Sequence, residues 1–182
     1  MQVDFDALVS LLIKQLNNNF ILKEGENKIL EKVTMEVLTK IEYSFIRQKD
    51  KYYYNNGQVI FNPFNTVQYT IFLYYMSNLL YDKYNNEDLA SRVYFLNKMF
   101  TGADLFYAIK LPSVFGAQHP VGAVLGRAKY DDYFFFYQHT TVGGNKGAYP
   151  TIGKGVILFY CIAVILFFSS QPSGIVNLRR LW

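Results

Sequence analysis

Asp104-Leu-Phe-Tyr-Ala-Ile-Lys-Leu-Pro-Ser-Val-Phe-Gly-Ala-Gln118-His119-Pro120-Val121-Gly122-Ala-Val-Leu-Gly126 is the stretch that decides the fold, together with its continuation Gln138-His-Thr-Thr-Val-Gly143-Gly144. Steps of an aliphatic residue followed by glycine recur through it. Such steps mark a β-solenoid, in which each short repeat turns a corner and stacks on the one before. A coil of this kind cannot bury its apolar face alone and requires neighbours. A histidine, His119, stands beside these steps, with a carboxylate, Asp104, fifteen residues earlier.

Downstream, glycines and prolines become regular and charges thin out. Ile152, Val156, Leu158, Ile162 and Val164 fit alternating four- and two-residue steps, the inward positions of further coils. Upstream the period is helical. Leu8, Leu11, Leu12 and Leu16 predict a helix over 6–16, ended by Asn17-Asn-Asn19. Ile29, Leu30, Val33, Val37, Leu38, Ile41 and Phe45 predict a long helix over 26–51. Asn56-Gly57 between two β-prone runs predicts a short hairpin. Helices over 67–84 and 87–100 follow, the second capped by Asn86 and closed at Thr101-Gly102. The fold class expected is α+β: a helical domain over 1–102, then a short parallel β-helix over 103–182.

A chain of 182 residues with 51% hydrophobic content can bury a substantial core. Tyr and Phe number 16 each, which points to aromatic burial or interfaces. The net charge of +4 suits an anionic cofactor without demanding nucleic acid, and no Lys/Arg run forms a nucleic-acid arm. One cysteine excludes an internal disulfide framework. The N-terminus, Met-Gln-Val-Asp-Phe-Asp, shows no basic signal-peptide region, so a cytoplasmic protein is expected. Val156 to Phe168 is thirteen apolar residues, shorter than the roughly 20 of a spanning helix, and reads as buried structure.

The stretch resembles the serine O-acetyltransferase family of hexapeptide-repeat acyltransferases over about residues 60 to 165. The family places an Asp fifteen residues before its catalytic His, as Asp104 and His119 stand here. His119-Pro-Val-Gly-Ala-Val-Leu-Gly126, Gln138-His-Thr-Thr-Val-Gly-Gly144 and Pro150-Thr-Ile-Gly-Lys-Gly-Val156 match its successive coils. Phe64-Asn-Thr-Val-Gln-Tyr69 with Tyr74 resembles the helix before them. The resemblance implies a left-handed β-helix, acetyl-CoA as co-substrate with no metal, and assembly as a homotrimer or dimer of trimers with sites between subunits. It also implies roles. His119 is the general base and Asp104 its orienter. Gln118 stands where the family carries the acid that contacts the amino group of serine. Gly143, Gly144, Asn145, Lys146 and Gly147 form the cofactor loop.

The residue types suit that chemistry. Acetyl transfer to a hydroxyl needs a base matched to neutral pH, and histidine provides it. A carboxylate on the far ring nitrogen fixes the tautomer and stabilises the imidazolium. Gly143 to Gly147 could bring backbone N–H groups close to a cofactor, with Lys146 near its phosphates. The bland readings stand beside these: a structural histidine, a turn or capping aspartate, a solvated turn. His139 reads as a surface or trimer-interface residue, Cys161 as a buried inert thiol, and Phe134-Phe-Phe-Tyr137 as core plus subunit contact.

The chain departs from the family in places. Gln118 replaces its Asp, and Ala148-Tyr149 its Arg-His, after a shorter Gly-rich loop. These changes favour a divergent, polysaccharide-linked branch over the enzymes of cysteine biosynthesis. After Val164, Leu166 takes the place of a corner glycine, and the end at Trp182 predicts a truncated or degenerate solenoid. L-serine is the expected acceptor. The rivals are a sugar hydroxyl or amine acceptor, a non-catalytic oligomerising remnant, and a small membrane protein anchored by 156–168.

Overall fold

The computed structural model describes residues 1, 3–48 and 50–165. Four helices come first: α1 Phe5–Asn19, α2 Glu26–Gln48, α3 Thr66–Asp82 and α4 Glu87–Thr101. Each begins or ends where local chemistry dictates. Asp4 caps α1 by accepting from the Ala7 N–H, and Asn65 caps α3 by accepting from those of Val67 and Gln68. Asn86 accepts from the Leu89 N–H at 3.1 Å, and Gly102 closes α4 in the left-handed region at φ 68°. Between α2 and α3, β1 Tyr54–Asn55 and β2 Gln58–Val59 pair antiparallel across Asn56-Gly57, both at positive φ as a tight primed turn requires.

The sheet half is a parallel solenoid of about three turns. Its strands are β3 Asp104–Leu105, β4 Phe115–Gln118, β5 Val124–Leu125, β6 Lys129–Tyr130, β7 Phe134–Tyr137, β8 Thr141–Gly143, β9 Thr151–Ile152, β10 Ile157–Leu158 and β11 Ala163–Ile165. They form three faces, ordered β11-β8-β5-β3, β10-β7-β4 and β6-β9. The register stacks Leu105, Leu125, Val142 and Val164 in one inward column. Ala117, Phe136 and Leu158 form another, and Tyr130 pairs with Ile152 in a third. All of these are buried. Strand period two therefore decides which aliphatics enter the core.

One apolar core runs through both halves. α3 supplies its axis and is buried on nearly every side. The Tyr74 ring meets Phe115 edge-on at 5.6 Å. Its hydroxyl donates to the Ile109 carbonyl at 2.9 Å and accepts from the Leu111 N–H at 2.9 Å, tying the helices to the first coil.

Three expectations need correction. Ile162 is 38% exposed rather than inward: Tyr160 and Cys161 before it both take positive φ, and the coil turns its corner there before Val164 re-enters the core. Cys161 sits on that corner and is exposed, not buried. The long helix stops at Gln48, not 51: the Tyr53 and Tyr54 N–H groups turn back to the Asp50 carbonyl and open the hairpin. The apolar run from Val156 enters β10 and β11, and among the described residues no helix is long and apolar enough to cross a membrane. The expectation of a degenerate end at 166–182 lies outside the described residues.

Candidate functional site at one solenoid corner

The face β3-β5-β8-β11 meets its neighbour at a corner that carries Gln118 and His119, with Asp104 at the start of β3. β4 ends at Gln118, which pairs with Tyr137 on β7 and is exposed. His119 follows in the left-handed region at φ 51° and is exposed. The turn then closes tightly: the Val121 N–H donates to the His119 carbonyl at 2.8 Å and the Ala123 N–H to that of Pro120 at 3.0 Å. A non-glycine residue at positive φ is uncommon, and such strain concentrates at functional positions.

Asp104 lies on the coil below. Its N–H donates to the Ala123 carbonyl at 2.7 Å, so its backbone is laddered to the turn that carries His119. Its carboxylate is held by α4. Oδ2 accepts from Lys98 Nζ at 2.8 Å and Oδ1 accepts from the Tyr94 hydroxyl. Both donors stand on α4, one helical turn apart, with the Lys98 ammonium 5.4 Å from the Tyr94 ring centre. Burial first, then the adjacent carboxylate, push the Tyr94 phenol above its ordinary value, which keeps it a donor. No hydrogen bond joins Asp104 to His119 among the described residues. The sequence reading missed this pair of donors, although their i, i+4 spacing on the helix preceding the first coil is visible in it.

On the coil above, His139 also takes a left-handed φ of 54° and is exposed. Its N–H donates to the Val121 carbonyl at 3.0 Å. Its ring lies on Gly122, where a Cβ would come within 2.5 Å of Nδ1. Gly122 itself has φ +70°, so glycine is required there twice over. Gln138, just before, has a buried Oε1 without a hydrogen-bond partner.

Of the five candidate loop residues, Gly143 ends β8 and Gly144 to Gly147 follow it, at the opposite end of that strand from His139. Asn145 and Ala148 exchange N–H to carbonyl bonds at 3.0 Å across Lys146-Gly147, which take positive φ. The loop is thus a closed tight turn that consumes the Asn145 N–H and presents Lys146 at an exposed tip. At Gly144 a Cβ would meet the Tyr149 ring at 2.2 Å, so the hairpin folds over this glycine. Phe134 and Phe136 are buried, while Phe135 and Tyr137 face outward and are half-buried. Among the described residues no cluster of His, Cys, Asp and Glu could hold a metal ion.

No protein-family model and no curated protein matches the chain. Solved structures do match its shape. A serine acetyltransferase in complex with CoA superposes with a TM-score of 0.67 at 18% identity, covering 91% of this chain and 71% of that one. The Neisseria gonorrhoeae serine acetyltransferase in complex with serine gives 0.62 at 16%, covering 89% and 70%. The Brucella abortus serine acetyltransferase gives 0.59 at 18%, covering 76% of this chain. This chain spans 61% of that enzyme's length. Helices leading into stacked parallel coils are common to these structures and to this chain, which has the fold of the serine acetyltransferases.

Proposed function

We propose that the protein is an acetyl-CoA-dependent O-acetyltransferase of the serine acetyltransferase type. His119 takes the proton from an acceptor hydroxyl as its oxygen attacks the thioester carbonyl. The new C–O bond forms, the C–S bond breaks, and the departing sulfur receives the proton from the imidazolium. Transfer is direct, with no acyl-cysteine. Asp104 orients His119 after exchanging its bond to Lys98 or Tyr94 for one to the imidazole. Gln118 contacts the acceptor. Gly143 to Gly147 meet the cofactor, with the Lys146 ammonium directed to its phosphates.

One observation carries this reading: an exposed histidine in a strained corner of the solenoid, laddered to the Asp104 coil, in the fold of enzymes crystallised with CoA and with serine. A cytoplasmic homotrimer, or a dimer of trimers, with sites between subunits belongs to the same proposal.

L-serine is the first acceptor to test, and a place in cysteine biosynthesis goes with it. A sugar hydroxyl or amine is the second reading. It is favoured by the exposed amide of Gln118 beside His119 and by the commitment of the Asp104 carboxylate to α4. The test is release of free thiol from acetyl-CoA with L-serine and with methyl glycosides, wild type beside His119→Ala. Loss of a general base costs about 10²–10⁴-fold in rate. Thiol release that is equal in the two proteins would sink the proposal.

A further inference from the structure

The corner holds a second imidazole to which the reaction above assigns no role. His139 is one coil above the turn of His119, and its main chain is fixed there by the bond from its N–H to the Val121 carbonyl. Its ring rests on Gly122, three residues after His119 in the same turn, and the missing Cβ of that glycine makes the space for it. The side chain is exposed, and no protein group among the described residues hydrogen-bonds either ring nitrogen. A left-handed φ at a histidine costs free energy that an asparagine or glycine would reduce.

The other polar side chains at the corner narrow what that imidazole meets. Gln118 offers an amide and His119 the base. The Asp104 carboxylate is already bonded to Lys98 and Tyr94, so it does not stand ready for an ammonium. A neutral imidazole offers one N–H donor and one acceptor nitrogen, which matches a hydroxyl that both gives and takes a hydrogen bond.

We infer that His139 is an acceptor-binding residue: it hydrogen-bonds a second hydroxyl of a polyol or glycoside acceptor and so aims the reacting hydroxyl at His119. The inference rests on the acyl-transfer reading above and names the class of acceptor for that site. It makes the corner a two-imidazole site, His119 reacting and His139 positioning.

The test compares His139→Phe and His139→Asn with the wild type, measuring thiol release over a range of acetyl-CoA and of methyl α-glucoside concentrations. Phe keeps an aromatic ring over Gly122 and removes both nitrogens. Asn tolerates the left-handed corner and keeps a polar group. The expected result is a rise in KM for the glucoside of about tenfold or more in His139→Phe, as loss of one hydrogen bond to a bound group predicts. The rise should be smaller in His139→Asn, and the KM for acetyl-CoA should move far less than that for the glucoside in both. An unchanged glucoside KM overturns the inference, and so does a parallel rise in both KM values, which marks a packing role. Turnover of L-serine but not of the glucoside overturns the acceptor class while leaving the acyl-transfer reading intact. Absence of any His119-dependent thiol release from the wild type overturns both together.

Discussion

In the helical half, most buried polar groups find partners on their own helix or the next one, Gln48 Oε1 at the end of α2 excepted. Thr34, Thr70, Ser77 and Thr101 hydroxyls donate to carbonyls within four residues, and the Asn97 amide reaches the Thr70 carbonyl. In the solenoid half the accounts are less complete. The two buried side-chain atoms left without a partner among the described residues, Gln48 Oε1 and Gln138 Oε1, lie against it or within it. Backbone strain divides the same way. Among the described residues, the two non-glycine residues at positive φ in the helical half are Asn56 and Asn85, a type that tolerates the left-handed region. In the solenoid they are His119, Tyr133, His139, Lys146, Tyr160 and Cys161. The helical half is built from locally consistent choices, and the solenoid carries its strain at the corners where side chains meet solvent. Local rules broken without a local gain are where function is to be sought.

The largest test of that contrast removes one support from each half. Arg92 holds the buried Glu26 through two bonds, Nη1 to Oε2 at 2.9 Å and Nη2 to Oε1 at 2.5 Å, with side-chain exposures of 13% and 6%. Arg92→Ala leaves the buried Glu26 carboxylate without its cation, held only by the Lys23 N–H at 2.7 Å, and is expected to cost about 3 kcal/mol. Phe136→Ala empties the middle of an inward column and is expected to cost a similar amount, about 3–5 kcal/mol. Because Tyr74 and the shared core join the halves, each variant should unfold in a single transition followed by circular dichroism. Two separated transitions would show that the halves are independent folding units.

The pair also gives the helical half a dependence on pH. Burial works to raise the Glu26 carboxyl, but Arg92 and the Lys23 N–H overcome it and hold the group below its ordinary value of 4.5. A carboxyl that is more acidic in the folded protein stabilises it while ionised. That contribution is complete above 4.5 and is lost as pH falls through the lower folded value. Acid titration of stability should show this loss in the wild type and lack it in Glu26→Gln.

The helices and the solenoid differed in how plainly the sequence announced them. Caps at Asn86 and Gly102, the Asn56-Gly57 turn and the helical periods act locally, so reading a few neighbours is enough. Of the inward positions, Ile152, Val156, Leu158 and Val164 were legible in the spacing, and all four are buried. Alternation does not hold through a corner, and no composition rule marks that Tyr160 and Cys161 both turn left-handed. Ile162 and Cys161 were therefore assigned to the wrong side. His119 and Asp104 stood out as a pair, but the partners of Asp104 depend on how α4 packs against the first coil. That packing is tertiary, and a spacing along the chain does not contain it.

The corner strain has a smaller and more local test. Tyr133 sits at φ 63° with its ring 45% exposed, outside the proposed site. Tyr133→Asn relieves the left-handed penalty of about 1–2 kcal/mol and forfeits the contact of Lys154 with the ring, 5.6 Å from its centre. A net gain of about 0.5–1 kcal/mol in chemical denaturation is expected. A loss would mean that the corner is held open by that side chain rather than strained by it.

Lys98 tests the contrast where the halves meet. Its ion pair with Asp104 is 41% exposed on the lysine side, so Lys98→Ala should change stability by no more than about 1 kcal/mol. Its effect on turnover should be out of proportion to that. If Asp104 must leave α4 to orient His119, removing one of its two bonds lowers the cost of leaving, and kcat should rise. Asp104→Asn should lower kcat, because the amide cannot stabilise the imidazolium as a carboxylate does. A fall in kcat in Lys98→Ala would reverse the assignment. The bond to α4 would then be the productive arrangement, Asp104 would serve to dock the helices onto the first coil, and His119 would act without a carboxylate partner.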